Sequence, residues 1–424
     1  MSSTPMSTRL FIHDTHVAGR VVDVLIEDGR IADMSPGQPR PEAATVIDGS
    51  RYAVFPTFAN LHTHAAMTLF RGYGGEVPLQ QWLQQWIWPK EKLLDDERVY
   101  WGVRLACVEM IKSGTTAFAD MYFELPAAAR AVHDSGIRAL LGDNVFGDAD
   151  RFVDASSYSA PEWQDEMVRY CVAPHSVYAV SDEGLRRVAR YCAENDLRCH
   201  IHMCETEKEV ADCLAQHGCR PYEHLAQLGL LDLLSHRLIG AHSLYLSDSE
   251  MALMSRHGVT AVHNPNSNLK LGSGYRFQYA ELQAAGVRVA LGTDGCASSN
   301  NLDMLEASKT MSLLQKGWRQ DSTSTPAGEV LHVASRNGFE AMGVDAGELE
   351  VGRQADMMLV DLDNVAMVPD NDTVANLIYA AHNDAIDTVI CNGRVVMRHR
   401  QVAGESEVVA AVREIARQMH LYRS

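Results

Sequence analysis

The chain contains 424 residues, 46% of them hydrophobic, and carries a formal net charge of −18. The hydrophobic content excludes a disordered protein, and the length is sufficient for one large domain with a smaller one beside it. The acidic excess argues against a nucleic-acid partner or an anionic membrane surface but is compatible with a small-molecule substrate.

The segment MSSTPMSTRLFIHDTHVAGR at the start of the chain lacks the basic and apolar regions of a secretory signal. No stretch approaches the ~18 apolar residues of a membrane span. The nine cysteines include no C-x-x-C pair, which is typical of free thiols in a reducing compartment. We therefore predict a cytoplasmic protein. We interpret the closely spaced cysteines as small core residues: Cys192, Cys199, Cys204, Cys213 and Cys219.

Both ends of the chain are predicted to be β-structure. RVVDVLIEDGRIADM (20–34) has β-branched runs on either side of an Asp-Gly turn. GRQADMMLVDLD (352–363) and DTVICNGRVVMRHRQV (387–402) continue this pattern with an Asn-Gly turn. The two ends are therefore expected to form one sheet structure around a long insert. A helix is predicted within 405–424.

Between these ends, short apolar runs alternate with longer amphipathic stretches such as 97–113 and 183–194. This alternation indicates βα units around a parallel sheet. Eight units in about 290 residues predict a (β/α)₈ TIM barrel, with a doubly wound open sheet as the alternative. The eight strand candidates are AVFPTFANLHTH (53–64), GTTAFADMY, IRALLGDNV, YCVAPHSVY, LRCHIHMCE, RLIGAHSLY, VTAVHNPNSN and VRVALGTDG.

Titratable residues follow the apolar runs of these candidates: His62, His64, His175, His202, His242 and Asp294. In a barrel the carboxyl ends of the strands share one face, and that face holds the active site. Histidine and carboxylate side chains converging there predict a catalytic metal site.

The spacing of the histidines supports this prediction. His62 and His64 are two residues apart, so both point to the same side of a strand. His200 and His202 also share a side, and we choose His202 because it lies nearer the carboxyl end of its strand. His200 is interpreted as a buried histidine lower in the barrel. Glu205 follows in a loop that can fold back over the site.

Five segments resemble the motifs of the amidohydrolase superfamily: NLHTHAAMTLFRG, HIHMCET, GAHSLYL, HNPNSNLKLGSG and LGTDGCASSNN. The resemblance is greatest to its aminohydrolase branch, which contains methylthioadenosine/S-adenosylhomocysteine deaminases and related chlorohydrolases. It implies a (β/α)₈ barrel over 56–354, with a small β-sandwich formed by 1–55 and 355–424. It also implies a cyclic amidine deaminase, a hydrolase that acts on C–N bonds other than peptide bonds, and a homo-oligomer.

The resemblance implies four ligands for one divalent metal ion: His62, His64, His202 and Asp294. Zinc is expected, with iron or manganese as alternatives. Glu205 is the implied general acid and base, and Asp294 takes the proton of the attacking water. His242 holds and polarises that water, and His175 contacts the substrate. The fourth strand candidate, ending VAPHSVY, has no lysine that could bridge two metals, which favours a single ion.

The substrate is predicted from the insert LQQWLQQWIWPKEKLL (79–94). In the nucleoside deaminases that it resembles, the tryptophan at the position of Trp82 packs on the substrate and the glutamate at the position of Glu91 binds the ribose hydroxyls. An amphipathic helix with buried tryptophans is the alternative interpretation. The implied reaction converts the 6-amino group of methylthioadenosine, adenosine, 5′-deoxyadenosine or S-adenosylhomocysteine to the inosine analogue. The alternative substrates are a pterin, guanine or an s-triazine.

Two features bear on the rest of the substrate. ALLGDNVFGDADR (139–151) places Asp143 where relatives that accept a homocysteine tail tend to carry an arginine. Asp143 repels a substrate carboxylate, so we expect S-adenosylhomocysteine to be a poorer substrate; whether Asp143 or Arg151 contacts the tail is left open. Asparagines 264, 266 and 268 are expected either to recognise a heterocycle edge or to form a turn.

Two other classes of protein are considered. A non-catalytic scaffold that retained the barrel is expected to lack the ligands, whereas here all four ligand positions and Glu205 are intact. A nucleic-acid deaminase is disfavoured by the negative charge and by the absence of the H-x-E…P-C-x-x-C signature.

Overall fold

The computed structural model describes residues 9–42, 44–75, 81, 83–157 and 159–422. Five strands open the chain: β1 (Arg9–Val17), β2 (Arg20–Glu27), β3 (Arg30–Ser35), β4 (Thr45–Asp48) and β5 (Tyr52–Pro56). Eight strands follow: β6 (Phe58–Thr63), β7 (Thr115–Tyr122), β8 (Arg138–Val145), β9 (Val168–Pro174), β10 (Cys199–Met203), β11 (Leu238–His242), β12 (Thr260–His263) and β13 (Arg288–Leu291). Four strands come last: β14 (Met357–Asp361), β15 (Ile386–Cys391), β16 (Arg394–Arg398) and β17 (Gln401–Val402).

Strands β6 to β13 form a parallel sheet in chain order. The sheet closes because the segment after β13 bonds to β6. The backbone N–H of Asp294 donates to the carbonyl of His62 at 3.0 Å. The side chain of Asn60 exchanges hydrogen bonds with Thr293 at 2.7 and 3.0 Å. The predicted TIM barrel is confirmed, and the alternative of an open doubly wound sheet is wrong.

The first predicted strand, 53–64, is two strands in the structure. Its first half, β5, pairs with β14 in the other sheet, and its second half, β6, pairs with β7 in the barrel. The change occurs at Pro56–Thr57, where proline has no N–H to continue a ladder. The seventh candidate is also shorter than predicted, because Pro265 at the first position of helix Pro265–Lys270 favours a helix start.

The α-helices are Trp88–Glu91, Asp96–Lys112, Leu125–Ser135, Asp182–Glu194, Glu207–His217, Pro221–Gln227, Leu230–Leu233, Asp248–Arg256, Pro265–Lys270, Tyr279–Ala284, Cys296–Ser299, Met304–Arg319, Ala327–Ala334, Arg336–Met342, Thr373–Ala375 and Glu405–Gln418. Short 3₁₀ or π turns cover Ala65–Phe70, Leu83–Ile87, Asp150–Phe152, Ala155–Ser157, Asn376–Ala380 and Asn383–Ala385. Within the described part of the chain, no helix combines the length and apolarity needed to cross a bilayer.

Helix Asp182–Glu194 illustrates how the outer layer forms. Ser181 caps its start by accepting a hydrogen bond from the N–H of Gly184. Leu185, Val188 and Cys192 recur at helical spacing and are buried. All nine cysteines of the chain are free and buried, so their interpretation as core residues is confirmed.

The second sheet joins both ends of the chain, in the order β17-β16-β15-β14-β5-β1-β2-β3, with β4 beside β1. The antiparallel pair β14–β5 makes the connection. The predicted Asp-Gly and Asn-Gly turns join β2 to β3 and β15 to β16. The flanking β-structure built from both termini is therefore confirmed. The division into domains 1–55 plus 355–424 and 56–354 stays a prediction.

A buried ion pair connects the barrel to this sheet. Arg138, which begins β8, places Nη2 3.1 Å from Oδ2 of Asp356, and both side chains are almost fully buried. Thr116 donates to Oδ1 of the same carboxylate at 3.0 Å, and the N–H of Asn392 donates to Oδ2 at 3.2 Å. Asp356 therefore binds groups from both the barrel and the second sheet.

Candidate active site

A cavity of about 620 Å³ opens among the carboxyl ends of the barrel strands. The size suits a nucleoside-sized ligand. The predicted site residues among its lining are His64, Glu91, His175, His202, Glu205, His242 and Asp294. His62 is fully buried beside it. Trp82 lies outside the described residues.

The four predicted ligands converge. Oδ1 of Asp294 lies 3.4 Å from Nε2 of His62 and 3.3 Å from Nε2 of His64. Nε2 of His202 lies 3.4 Å from Nε2 of His64. Zinc–ligand bonds of about 2.0–2.1 Å at tetrahedral angles place ligand atoms about 3.3 Å apart. Nε2 of His62 is buried without a hydrogen-bond partner, which is the state expected of a ligand atom. These residues fit a divalent metal ion.

The outer nitrogen of each ligand histidine has a partner that orients the ring. Nδ1 of His62 faces Nε2 of His200 at 3.0 Å, Nδ1 of His64 faces the Met121 carbonyl at 2.7 Å, and Nδ1 of His202 faces the His175 carbonyl at 2.7 Å. The carbonyl acceptors place the proton of His64 and of His202 on Nδ1 and leave the lone pair of Nε2 for a metal, and His62 has the same tautomer when Nε2 of His200 accepts. His200 is buried, as predicted, and it also orients His62.

His242 has the opposite hydrogen-bond pattern. The side-chain amide nitrogen of Asn268 lies 3.0 Å from its Nδ1. A donor at Nδ1 places the proton of His242 on Nε2. The ring of His242 lies beside those of His62 and His202, with 5.4 and 5.6 Å between ring centroids. Nε2 also lies 3.9 Å from Oε2 of Glu205. His242 is therefore arranged as a hydrogen-bond donor beside the ligand cluster.

Asp294 is held from several directions. Ser267 and Ser298 donate to its Oδ2 at 2.6 and 2.9 Å, and the N–H of Gly295 donates to Oδ1 at 2.8 Å. Its backbone φ of 62° is left-handed, a strained conformation for a residue with a side chain. Burial raises the pKa of Asp294, but His62 and His64 outweigh it and hold that pKa well below the ordinary value.

The site histidines differ in basicity. Burial lowers the pKa of His62 and of His175 to about 4, and it lowers the pKa of His202 well below its usual 6.5. Burial also opposes the charge of His64, but the hydrogen bond and negative charge of Asp294 raise its pKa to about 9. His62, His175 and His202 are therefore neutral near pH 7, whereas His64 must release a proton when it binds a metal.

Glu209 is a site residue that the sequence analysis missed. Its Oε1 accepts from the N–H of Cys204 at 2.7 Å and its Oε2 from the N–H of Glu205 at 2.8 Å. Cys204 is left-handed, with φ of 53°. The T-x-x-E pattern of Thr206 and Glu209 is a capping-box signal that could have indicated this role. Glu209 instead binds the N–H groups of Cys204 and Glu205, which precede the N-cap residue Thr206.

Glu91 faces the cavity together with a second residue that sequence reasoning missed. The hydroxyl of Tyr122, the last residue of β7, donates to Oε1 of Glu91 at 2.9 Å. Burial raises the pKa of Glu91, and the hydrogen bond from Tyr122 partly opposes that rise. Trp88 also lines the cavity and is 43% exposed, so this tryptophan is not the buried helix residue of the alternative interpretation.

The three asparagines after β12 do not face the cavity. Asn264 and Asn268 are buried against His242, and Asn266 donates to Oε1 of Glu306 at 3.1 Å. The expectation that they recognise a heterocycle edge is therefore wrong. Asn264 and Asn268 thus lie in the protein interior, and Asn266 contacts helix Met304–Arg319.

A model of the amidohydrolase family matches residues 53–396 of the chain. The chain belongs to the amidohydrolase family. The predicted family and enzyme class, a hydrolase of C–N bonds, are confirmed, and the ligand cluster supports metal dependence in this amidohydrolase.

Known proteins resemble this amidohydrolase over most of its length. A 5′-deoxyadenosine deaminase of Methanoregula boonei is 46% identical over 379 residues, which cover 88% of this chain and 85% of that protein. A 5-methylthioadenosine/S-adenosylhomocysteine deaminase of Archaeoglobus fulgidus is 43% identical over 405 residues, which cover 93% and 94%. The crystal structure of an adenosine deaminase from Xanthomonas campestris with bound zinc has a TM-score of 0.91 at 33% identity, and the match covers 98% of this chain and 99% of that one.

Proposed function

We propose that this amidohydrolase removes the 6-amino group of an adenosine-type nucleoside by hydrolysis and releases ammonia. One observation carries the proposal: a single cavity contains the carboxylates of Asp294 and Glu205 beside the histidine cluster, together with the partly buried carboxylate of Glu91. The carboxylates of Asp294 and Glu205 can transfer protons, and that of Glu91 can accept hydrogen bonds from the two hydroxyls of a ribose. The names of the similar deaminases support this assignment.

We propose that the ligands hold one zinc ion: His62, His64, His202 and Asp294. Imidazole and carboxylate donors suit zinc, and a zinc-bound relative supports the choice over iron or manganese. When bound, such an ion supplies a Lewis acid that makes water nucleophilic at neutral pH.

The two carboxylates divide the proton transfers. Water forms a bond to C6 of the purine, and the bond from C6 to the amino nitrogen breaks, so one water is consumed for each ammonia released. Asp294 accepts the proton of the attacking water, and its bonds to Ser267 and Ser298 hold the carboxylate in place beside the ligand cluster. Glu205 gives its proton to the ring nitrogen N1. The proton held by Asp294 then passes to the amino group, which leaves as ammonia, while Glu205 takes back the proton of the C6 hydroxyl as the carbonyl forms. Ser273 donates to Oε1 of Glu205 at 3.1 Å and orients it.

Two histidines complete this assignment. His242 orients the attacking water through the proton on Nε2, the nitrogen that does not contact Asn268. His175 lines the cavity and stacks on Phe146, with 5.1 Å between ring centroids. It is neutral near pH 7 and offers a hydrogen bond to the substrate.

We further propose that substrates with an uncharged 5′ group are preferred. Asp143 and Arg151 lie in a second cavity that shares Phe123, Glu124 and Asn144 with the first. Nη2 of Arg151 is 2.8 Å from Oδ1 of Asp143, so its charge is already paired. A substrate carboxylate would have to compete with Asp143 for Arg151.

The test is an absorbance screen of the zinc-loaded enzyme, with ammonia release as the second measurement. The substrates are methylthioadenosine, adenosine, 5′-deoxyadenosine, S-adenosylhomocysteine, guanine, a pterin and an s-triazine. Turnover of an uncharged adenosine analogue is expected to be fastest. Turnover of a bare heterocycle without any nucleoside activity would contradict the proposal and favour the alternative substrates.

A separate variant tests the preference for an uncharged 5′ group. Asp143→Asn releases Arg151 from its pair, so kcat/KM for S-adenosylhomocysteine should rise relative to that for methylthioadenosine. Asp148→Asn is the control, because Asp148 binds Ser181 and not Arg151. An unchanged ratio in Asp143→Asn would show that the pair does not face the substrate tail.

A further inference from the structure

A second cluster of metal-ligating side chains lies outside the cavity. Asp182, His217 and His224 each place one ligand atom within 4.8 Å of the other two. None of them lines the active-site cavity. They come from three different helices: Asp182–Glu194, Glu207–His217 and Pro221–Gln227.

The three side chains lie close together, and the cluster is open to solvent on one side. Nε2 of His224 lies 2.8 Å from Oδ1 of Asp182. The rings of His217 and His224 are 3.8 Å apart at their centroids, with their planes tilted by 33°. The side chain of His224 is 4% exposed and that of Asp182 is 41% exposed, so a buried imidazole meets a carboxylate at the surface. A cation and its water can enter from that side.

The local sequence explains why two imidazoles meet here. His217 ends its helix, and Gly218 follows in the left-handed conformation, with φ of 72°. Pro221 then starts the next helix, which carries His224 on its buried side. Two protonated imidazoles at this separation would repel each other, whereas two neutral imidazoles can share one cation.

The donor set indicates which ion fits. Two cysteines, Cys213 and Cys219, lie near the cluster, and the charge of Asp182 acts on both thiols. The group of ligand atoms that lie within 4.8 Å of one another contains neither of these sulfur atoms. The available donors are therefore two imidazole nitrogens and one carboxylate, a set that zinc binds with a fourth position left to water.

We propose that Asp182, His217 and His224 form a second divalent-cation site of zinc type. The site connects helix Asp182–Glu194 to the two helices that follow β10, the strand that carries His202. Ligand atoms around zinc stand about 3.3 Å apart, so Asp182 must withdraw by about 0.5 Å from His224. Its half-exposed side chain has the freedom to do so. The proposal is independent of the reaction at the active site.

The test is the zinc content of the full-length protein after equilibrium dialysis against micromolar Zn²⁺, measured by elemental analysis. The wild type should hold about two equivalents and His217→Gln about one, while deamination changes by less than about twofold. Zinc should also raise the thermal midpoint of the wild type more than that of His217→Gln. His257→Gln is the matched control, because His257 has one carboxylate neighbour, Asp232, at 3.6 Å.

Two further variants separate the sites. Asp182→Asn should also lose about one equivalent, and circular dichroism verifies that both variants are folded. Asp294→Asn should lose the active-site equivalent and its activity but retain the second. Equal zinc content in the wild type, His217→Gln and Asp182→Asn would overturn the proposal, as would a wild type that saturates at one equivalent.

Discussion

Oε2 of Glu209 accepts a hydrogen bond from the backbone N–H of Glu205 at 2.8 Å, and Glu209 is buried. Its other oxygen binds the N–H of Cys204, whose left-handed backbone turns the chain toward the cavity. One carboxylate therefore fixes the loop that presents the proposed acid and base. Burial raises the pKa of Glu209 to about 8, although the two N–H groups oppose that rise.

Glu209→Gln should impair positioning without removing the metal. The amide offers one acceptor oxygen, so either Cys204 or Glu205 loses its partner and the loop shifts. A displacement near 1 Å can cost about a hundredfold in rate, so we expect kcat to fall about ten- to a hundredfold with little change in KM. Zinc content should be unchanged. Glu223→Gln is the control, because Glu223 binds the Arg220 N–H on an outer helix. Equal kcat in both variants would contradict the role.

Glu205→Gln tests proton transfer itself. Glutamine keeps the shape of the side chain and the bond from Ser273 but cannot deliver a proton to the ring nitrogen. General acid–base catalysis contributes about a hundred- to ten-thousandfold, and kcat should fall by that factor while zinc is retained. The exposed neighbour Glu207 provides the control variant Glu207→Gln, which should keep wild-type activity. Full activity of Glu205→Gln would remove Glu205 from the mechanism.

Glu91 makes a pH-dependent contribution to substrate binding. Its carboxylate can accept hydrogen bonds from two ribose hydroxyls only when it is ionised. Burial raises the pKa of Glu91 above the usual 4.5. KM for a nucleoside should therefore rise as the pH falls through that raised pKa. Tyr122→Phe removes a hydrogen bond that lowers the pKa, so the rise in KM should move to higher pH.

Glu91→Gln is the companion variant for this titration. Hydrogen bonds to a charged group contribute about 1.5–3 kcal/mol, so kcat/KM should fall about ten- to a hundredfold. Its KM should no longer change with pH over the same range. A pH profile identical to that of the wild type would show that another group controls binding.

The ion pair between Arg138 and Asp356 should matter for stability rather than activity. Arg138→Met leaves a buried carboxylate without its charge partner, which costs about 3–5 kcal/mol of the free energy of unfolding. Arg51→Met is the control, because the pair of Arg51 with Asp361 is half-exposed and should contribute about 1 kcal/mol or less. Denaturant unfolding measures both. The double variant Arg138→Met/Asp356→Asn should recover part of the loss.

Much of the architecture followed from local pattern. Alternating apolar runs and amphipathic stretches predicted the barrel, and the Asp-Gly and Asn-Gly turns predicted the hairpins at the chain ends. The position of His62, His64, His202 and Asp294 at strand ends was sufficient to predict that they converge. The reason is geometric, since parallel strands in a barrel bring their carboxyl ends to one face.

Other features were decided only by the tertiary structure. The sequence alone determined that the histidines and Asp294 at the strand ends share one face, because strand periodicity and strand order place them there. It did not determine that Asn268 orients His242, that Glu209 clamps the Glu205 loop or that Tyr122 binds Glu91. Nor did it indicate that His217 and His224 meet Asp182 across three helices. Such contacts depend on helix packing and left-handed turns. These bring together residues that neither helix nor strand periodicity connects in the sequence.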